Sequence, residues 1–470
     1  MKPWFALFVL LGLSLSFAPA QAEDFTPTCL QTAELKEISS HFEQFKKLID
    51  PASEKSCSTE KNDKWFKVAE AVAVIHSKTF SPPPLEGDDV LTYRAVDRNQ
   101  FWSYLTRRAD RFDLTPSACE SYAAYVWDYI PGEINICSPF LRSTLAGRAE
   151  ILLHEVRHFD GFSHVVCRKG AFKGVYACDR SIGEKGSYAV SVQALALMGL
   201  DRNKLSADEK IYARYAAVFG TQNNFIKIPP LKVTSSLFLE DGQGGLFLWS
   251  PSTGNFSFKM SLPENVSVFP SNMYYWTFYP KDSNQNAYRS TAFLLEPMEA
   301  VGDYAKTYNA MTPSERSSFR EVSYREGENA SGLLVGARLR TLCDNKEFKT
   351  FDQPLIGQME NFVALSGKTY LKHSDGSLYS IKCKKGKLSL LKSDLMMPLE
   401  IKSSFDLGGV TYALNRSGQI LRLEKDKNSV SASVLENPAL QGRSWVQAFS
   451  YEVPHLFLQD DLQNLKGERP

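Results

Sequence analysis

The side chains best suited to catalysis in this sequence are concentrated in one short segment. Three of the seven histidines, His154, His158 and His164, lie within eleven residues. Histidines four positions apart on a helix stand one turn apart on the same face, so His154 and His158 can bind one metal ion. Gly161 permits a sharp turn that would bring His164 to the same ion. Glu155 could serve as the base for a metal-bound water.

These residues predict a catalytic Zn²⁺ site with three histidine ligands and a fourth position open to water. In this mechanism Glu155 takes a proton from the zinc-bound water, which then attacks a substrate carbonyl polarised by the metal. The alternative interpretation is three unrelated histidines at a buried helix end. That alternative is disfavoured because buried imidazoles without partners are energetically costly.

The segment from His154 to His164, HEVRHFDGFSH, resembles the His-Glu-x-x-His-x-x-Gly-x-x-His pattern of the metzincin branch of zincin metallopeptidases. This resemblance implies a zincin-like domain that hydrolyses peptide bonds. It also implies a small mixed sheet above the active-site helix, with an antiparallel edge strand along which peptide substrates bind. The segment Glu133–Cys137 is the expected edge strand.

The resemblance leaves two roles open. Other zincins take their third ligand from an acid on a later element, and Asp179 or Glu184 could replace His164 in this role. Tyr188 could donate a hydrogen bond to the developing oxyanion, as tyrosines do in several zincins, or it could simply be a core residue.

Two charged residues inside the motif also have two interpretations each. Arg157 is expected to pair with Asp160 or Asp179, and the alternative is that it binds a substrate carboxylate. Asp160 could orient a ligating imidazole or could be a solvated acid at the helix end.

Helices and turns around the motif are predicted from apolar spacing and capping residues. A long helix should begin near Ser143 and stop at Gly161, and a second should span Ser187–Leu200. The segment Ser206–Glu209 has the pattern of a capping box. Further segments are predicted as a strand (Asp89–Val96), a helix (Phe101–Ala109), and a hairpin that joins Tyr122–Ile130 to Glu133–Cys137 around Pro131-Gly132.

From about residue 233 the character of the sequence changes, because short apolar runs alternate with Gly, Asn, Asp and Ser turns. A glycine followed by apolar residues recurs near Gly244, Gly332, Gly376 and Gly418, which suggests a unit of about 44 residues. One copy is obscured and should fall near Tyr288. Propeller blades have this length, so the pattern predicts a β-propeller of about five blades, with a β-sandwich as the alternative.

The eight cysteines suggest disulfides in an exported chain. Pairing of neighbours gives the simplest connectivity, which is Cys29–Cys57, Cys119–Cys137, Cys167–Cys178 and Cys343–Cys383.

The first residues have the pattern of an export signal. Lys2 precedes an apolar run from Trp4 to Phe17, and small residues follow at Ala20 and Ala22. We therefore expect a cleaved signal peptide over residues 1–22, a secreted or periplasmic protein, and no transmembrane anchor. A zincin-like catalytic domain should then cover residues 23–230, and a β-rich, propeller-like domain residues 231–470.

The predicted fold is thus an α+β zincin-like domain followed by an all-β domain. The predicted function is that of a secreted zinc metallopeptidase with a peptide or protein substrate, and cell-wall peptide crosslinks are one candidate substrate. The formal net charge of +1 argues against a nucleic-acid partner. The alternative is a non-catalytic exported binding protein whose propeller recognises a protein or glycan.

Overall fold

The computed structural model describes most of the chain between residues 28 and 454. The gaps within this range are residues 77–95, 97–99, 117–118, 120–121, 128, 170–171, 201–204, 232, 253, 255, 263–264, 271–274, 281–284, 292–297, 300–307, 313–314, 317–318, 325–329, 336–337, 344–346, 385–386 and 428. The predicted signal peptide, and the predicted strand Asp89–Val96 apart from its last residue, lie outside the described residues. The chain divides into two compact units, Met1–Lys232 and Val233–Pro470.

The described part of the first unit is α+β. Its helices are α1 (Thr32–Ser39), α2 (Asp63–His76), α3 (Phe101–Thr106), α4 (Ser138–Arg142), α5 (Leu145–His158), α6 (Ser187–Leu200) and α7 (Ala207–Asn223). Short 3₁₀ helices span Glu43–Leu48 and Ile182–Glu184. Among the described residues, no helix has both the length and the apolar character needed to cross a bilayer.

Helix α5, which carries the motif, is fixed at its first turn by two separate caps. The Thr144 side chain accepts a hydrogen bond from the Gly147 amide at 3.1 Å. The Glu209 carboxylate of α7 accepts the Leu145 and Ala146 amides, each at 2.8 Å. An anion at these free amides also favours the helix dipole. The start of α5 is therefore held from α7, far away in the sequence.

The predicted capping box at Ser206–Glu209 is only half formed. The Ser206 hydroxyl accepts the Glu209 amide at 3.2 Å, as the pattern requires. The Glu209 carboxylate, however, bonds to the amides of α5 instead of returning to the Ser206 amide. A capping box is a local arrangement, and here a tertiary contact takes one of its two partners.

The described strands of the first unit are short. They are β1 (Cys29–Gln31), β2 (Lys55–Cys57), β3 (Arg111–Asp113), β4 (Ala124–Trp127), β5 (Ile130–Ile136), β6 (Val165–Val166), β7 (Tyr176–Ser181) and β8 (Phe225–Lys227). Strand β1 pairs with β2, and the other six strands form two three-stranded sheets in the orders β3-β5-β4 and β6-β7-β8.

The mixed sheet β3-β5-β4 corrects one prediction. Strand β5, which contains the expected edge segment Glu133–Cys137 up to Ile136, is the central strand, parallel to β3 and antiparallel to β4. Among the described strands, the antiparallel edge is β4. Pro131-Gly132 also lies inside β5, at an irregularity where Trp127 pairs with Ile130, so this dipeptide is not the hairpin turn. The turn signal marks a bulge in a strand.

The second unit is β-rich, and its described strands fall into groups of four. They are β9 (Val233–Asp241), β10 (Gly245–Trp249), β11 (Phe256–Ser261), β12 (Val266–Pro270), β13 (Tyr275–Pro280), β14 (Tyr288–Thr291), β15 (Met298–Glu299), β16 (Phe319–Tyr324), β17 (Ala330–Val335), β18 (Arg338–Cys343), β19 (Glu347–Asp352), β20 (Met359–Leu365), β21 (Lys368–His373), β22 (Ser377–Lys384), β23 (Lys387–Met396), β24 (Ile401–Leu407), β25 (Val410–Asn415), β26 (Ile420–Lys425), β27 (Val430–Val434) and β28 (Trp445–Pro454).

The order of these strands is propeller-like. Antiparallel runs β12 to β15, β16 to β19, β20 to β23 and β24 to β27 each follow the chain, and the last two runs join through one parallel pair, Val363 with Ser404. The remaining sheet has the order β11-β10-β9-β28, so the last described strand completes the sheet begun by the first strands of the unit.

Three of the four repeat glycines have the same structural role. Gly244, Gly376 and Gly418 all adopt positive φ, between 78° and 87°. They lie in the turns that precede β10, β22 and β26. Each of these is the third strand of its group of four, when β28 is counted as the first strand of the sheet β28-β9-β10-β11. This left-handed conformation favours glycine. Gly332 instead lies within the second strand of its run, so the similarity at this position is not structural. Strand β14 begins at Tyr288, where the obscured copy is expected, and residues 292–295, the expected shifted strand of that copy, lie outside the described residues.

Disulfides confirm three of the four predicted pairings. Cys29–Cys57, Cys119–Cys137 and Cys167–Cys178 all form. The side chains of Cys343 and Cys383 lie outside the described residues, so this pairing remains a prediction. Disulfides persist in oxidising compartments, and these three favour an extracellular or periplasmic protein.

Candidate metal centre

The three motif histidines are brought together by α5 and by the turn that follows it. His154 and His158 lie one turn apart near the end of α5. Gly161 has a φ of +82° and bonds its amide to the His158 carbonyl, so the chain reverses directly after the helix. His164 then precedes β6, which pairs with β7 through Val165 and Cys178. The predicted turn at Gly161 therefore returns His164 to α5.

The Nδ1 atom of His158 contacts oxygens that fix its tautomer. It bonds to the Phe162 carbonyl and lies 3.4 Å from the Ser187 hydroxyl. A carbonyl oxygen can only accept, so Nδ1 carries the ring proton and Nε2 keeps its lone pair. His158 Nε2 is buried and has no hydrogen-bond partner among the described residues. A lone pair in this state is suited to a cation.

His164 faces a carboxylate through the same ring atom. Its Nδ1 lies 3.4 Å from Asp179 Oδ1, and both side chains are buried. An ionised carboxylate favours the tautomer with the proton on Nδ1, which leaves Nε2 as the acceptor. The distance is that of an ion-pair contact, and carboxylates near imidazole ligands of metal ions commonly help to orient them.

His154 contacts Ser191, a residue of α6, and the side chain is completely buried. The Ser191 hydroxyl lies 2.8 Å from His154 Nδ1 and donates to the Ser187 carbonyl at 3.2 Å. A hydroxyl has one proton, so when Ser191 donates to Ser187 it must accept from His154. Nδ1 of His154 is then also protonated, and its Nε2, which lies 3.1 Å from His164 Nε2, carries a lone pair.

The three rings converge on one point. The Nε2 atoms of His154 and His164 are only 3.1 Å apart. One nitrogen from each of the three rings lies within 4.8 Å of the others. Two ligands at about 2.0–2.1 Å from a tetrahedral zinc ion are roughly 3.3 Å apart, so the closest pair already has the spacing of zinc ligands. Lone pairs facing each other at this distance would repel without a cation between them.

Burial keeps the imidazoles of His154 and His158 neutral. Desolvation, with smaller effects from the neighbouring rings, holds the pKa of His154 well below its ordinary value. Desolvation and the proximity of His164 lower the pKa of His158 to about 3. Neutral imidazole is the form that binds metals, so the site is prepared for a cation at physiological pH.

Two carboxylates on α5 are buried near the histidines. Burial, reinforced by the nearby charge of Glu150, raises the pKa of Glu155 well above its ordinary value. Burial raises the pKa of Glu150 to about 7, although the neighbouring Ser191 hydroxyl opposes this shift. Glu155 Oε1 is buried and has no hydrogen-bond partner among the described residues. A raised pKa suits a carboxyl group that must take up and release a proton.

Tyr188 packs against the histidines with its ring. The ring centre lies 4.8 Å from that of His154 and 4.6 Å from that of His164. Burial raises the pKa of Tyr188 well above its ordinary value, and a hydrogen bond with the Asn224 side chain opposes this shift. The contact with Asn224 favours a packing role beneath the rings. The oxyanion role of Tyr188 remains a prediction.

The alternative ligands occupy other places. Asp179 contacts His164 and is not part of the converging group, and Glu184 is exposed. Arg157 donates to Asp160 at 2.7 Å, which is the expected structural pair. Asp160 also accepts from Arg108 at 2.9 Å. The Asp160 carboxylate is thus bonded to two arginines, which does not favour a role for Asp160 in orienting an imidazole. Because Arg157 is one of these two arginines, the pair does not favour a substrate-binding role for Arg157 either.

Sequence reasoning missed two residues of this site, Glu150 and Ser191. Glu150 lies one turn before His154 on α5, with a carboxylate oxygen 3.9 Å from His154 Nδ1. Its spacing from His154 was a usable signal, because residues four apart share a helix face. Ser191 carried no such signal, since its contact depends on how α6 packs against α5.

Comparisons with known proteins do not assign a family. No family model matches the chain. No curated protein matches it either. Similar solved structures include a luciferin-regenerating enzyme (12% identity, TM-score 0.29, covering 44% of this chain and 73% of that one). Another is a virginiamycin B lyase from Staphylococcus aureus (11% identity, TM-score 0.23, covering 45% and 76%). A third is a protein of unknown function from Bacteroides caccae (11% identity, TM-score 0.26, covering 43% and 73%).

Proposed function

We propose that this protein is a zinc-dependent hydrolase that cleaves peptide bonds, with His154, His158 and His164 as the metal ligands. The observation that carries the proposal is the shared arrangement of the three rings. Each Nδ1 lies within 3.4 Å of an oxygen of the protein, and one nitrogen from each ring lies within 4.8 Å of the other two. Three imidazole ligands leave one position of a tetrahedral ion for water, which is the composition of a catalytic site.

In this proposal Glu155 moves the proton. A bound zinc ion would lower the pKa of a coordinated water towards about 7 and polarise the substrate carbonyl. Glu155 would be the residue that takes up a proton from the attacking water and releases it to the leaving amine. Its buried carboxyl group and raised pKa suit a residue that must both take up and release a proton.

We also propose a zincin-like fold for the first unit, a five-bladed propeller for the second, and export of the protein. The motif resemblance and the mixed sheet β3-β5-β4 support a zincin-like first unit, with β4 as the antiparallel edge. Five groups of four strands in the described part of the second unit support a propeller of five blades. The apolar start of the sequence supports export through a signal peptide cleaved after Ala22.

The decisive experiment combines metal analysis with a cleavage assay on the full-length protein. The protein is stripped with a chelator, reloaded with zinc, and analysed by mass spectrometry for metal content. Peptide cleavage is followed with a library of fluorogenic peptides that includes cell-wall crosslink peptides. We expect one zinc per chain and chelator-sensitive cleavage. His158→Ala should lose both.

His373→Ala is the matched control, because His373 lies in the second unit and bonds to Gln358. This variant should keep zinc and activity. A folded wild-type protein that binds no zinc would contradict the proposal and favour the binding-protein alternative. Zinc binding without cleavage of any peptide would contradict the peptidase assignment.

A further inference from the structure

We propose that Asp179 is the positioning residue that sets the third metal ligand, by coupling His164 to the start of α6. This inference rests on the proposed metal site and concerns how the chain builds it. Asp179 follows Cys178 in β7, and its side chain is buried. Its two carboxylate oxygens have different partners.

One oxygen faces the metal ligand and the other faces a helix. Oδ1 lies 3.4 Å from His164 Nδ1. Oδ2 accepts the Tyr188 amide at 2.9 Å and the Ala189 amide at 3.3 Å, in the first turn of α6. A carboxylate at a helix N-terminus is favoured by the free amides and by the helix dipole. The helix therefore fixes the carboxylate that orients His164.

The same end of α6 contacts the other two ligands. Ser187 lies 3.4 Å from His158 Nδ1, and Ser191, one turn later, lies 2.8 Å from His154 Nδ1. Serines four residues apart lie on one face of a helix, and this face is directed at α5. Because Asp179 holds the start of this helix, it links all three imidazoles to one rigid element.

Asp179 is itself held from both sides along β7. Cys178, the residue before Asp179, forms a disulfide with Cys167, which directly follows strand β6. The Asp179 amide donates to the Asn224 carbonyl at 2.9 Å. Gly186 leaves room for the carboxylate, because a Cβ at this position would lie 2.5 Å from Oδ2. A glycine at residue 186 is thus required by the carboxylate, since its φ is not in the left-handed region.

Replacing Asp179 by asparagine should affect metal binding more than folding. The amide oxygen of Asn can still accept the two amides of α6. Its NH₂ group would then face His164 Nδ1 and donate to it. That contact favours the tautomer with the proton on Nε2, which removes the lone pair needed by the metal. Loss of such an outer contact typically weakens metal binding by about 10- to 100-fold.

The test measures metal affinity and ligand geometry instead of turnover. Full-length wild-type protein and Asp179→Asn are stripped of metal and titrated with Co²⁺, whose visible absorption reports coordination geometry. Zinc affinity is measured by competition with a chromophoric chelator, and thermal unfolding of the metal-free proteins reports folding. We expect Asp179→Asn to bind zinc about 10- to 100-fold more weakly and to show an altered cobalt spectrum, with unchanged unfolding of the metal-free form.

Gly186→Ala tests the same contact without removing any functional group. The added methyl should displace the Asp179 carboxylate and weaken zinc binding in the same direction, even if Asp179→Asn fails to fold. Glu184→Gln and Gly183→Ala are the matched controls, since Glu184 is exposed and a Cβ at Gly183 meets its nearest atom at 3.9 Å. Both controls should bind zinc like the wild type.

The outcomes separate this inference from the proposed function. A wild-type protein that binds neither cobalt nor zinc overturns both. A wild-type protein that binds zinc, with Asp179→Asn and Gly186→Ala binding equally well, overturns only the role of Asp179. Loss of zinc in Glu184→Gln would assign the third position to that residue instead.

Discussion

Each unit of this protein contains a site where ionisable side chains are buried, and the two sites differ in how their polar atoms are satisfied. In the second unit the Lys372 side chain is completely buried, and its ammonium group bonds to Glu360 at 2.7 Å and to the Leu399 carbonyl at 3.3 Å. In the first unit Glu155 and His158 are also buried, but each has an atom with no hydrogen-bond partner among the described residues. Lys372 therefore has hydrogen-bond partners for its buried charge, whereas Glu155 and His158 each have a buried atom that lacks one.

This difference distinguishes a structural group from a functional one. Leaving a buried polar atom without a partner costs about 1–3 kcal/mol, so such atoms persist only where something compensates them. For Lys372 the compensation is within the protein. For the histidine cluster, the cation of the proposed metal site would supply the compensation, because it matches the converging lone pairs. The following predictions test this contrast.

The largest effect is expected for Glu155→Gln. Glutamine keeps the size of the side chain but cannot accept the proton, so the variant should retain zinc and lose about 100- to 10,000-fold in kcat. Zinc content and peptide cleavage are measured on the same sample. Turnover equal to that of the wild type would rule out Glu155 as the base.

The second largest effect is expected for the paired group in the second unit. Glu360→Ala leaves the Lys372 ammonium buried with only a carbonyl, and should cost about 3 kcal/mol in unfolding free energy. Lys372→Met removes the charge as well as the need for a partner, and should change stability by less than about 1 kcal/mol. Urea denaturation of both variants checks this asymmetry. Equal destabilisation would show that the ion pair itself stabilises the unit.

A smaller effect is expected in the pH dependence of the metal-free protein. The pKa of His158 is about 3 when folded, against an ordinary value near 6.5, so between these values the unfolded chain binds a proton that the folded chain excludes. Stability should therefore fall as the pH drops below about 6.5, by about 2 kcal/mol at pH 5 from this group alone. His158→Asn should lack this contribution.

Urea midpoints at pH 7 and pH 5, with chelator present, provide the measurement. The carboxylates of Glu150 and Glu155 are present in both proteins, so their opposite pH dependence largely cancels in the difference. An identical pH dependence in wild type and variant would contradict the burial of a neutral His158.

The smallest effect is expected for Asp160→Asn. This residue lies within the motif but is satisfied by Arg108 and Arg157 at the protein surface. Its loss should cost about 0.5 kcal/mol and leave zinc affinity unchanged. Thermal unfolding and zinc competition check both statements, and a tenfold weaker zinc affinity would place Asp160 among the groups that support the site.

Local sequence patterns predicted what depends on neighbouring residues. The bounds of α6 match the predicted helix Ser187–Leu200, and the turn at Gly161 follows from one residue that tolerates positive φ. Patterns failed where a distant element decides the outcome. The sequence of β5 does not reveal that β3 pairs with it on the side opposite β4. The Glu209 carboxylate could bond to the nearby Ser206 amide, but it bonds to the amides at the start of α5 instead.

The candidate site shows the same limit. Spacing identified the three histidines and Glu155, because their relation depends on helix geometry and one turn. The partners of the Nδ1 atoms are provided by α6 and β7, and no periodicity in the sequence indicates which residues of those elements face α5. The sequence shows that Asp179 has a carboxylate that could bind a metal. Its distance from the converging histidine nitrogens depends on tertiary packing and cannot be read from the sequence.

The pairing of β28 with β9 constrains the order in which the parts of the protein can fold during synthesis. The described elements of the first unit all precede residue 232, so that unit can fold while the rest of the chain is still being synthesised. The second unit cannot complete its first sheet until Trp445–Pro454 has emerged from the ribosome. Until then β9 presents an unpaired edge, and shortened or stalled chains should be the aggregation-prone form of this protein.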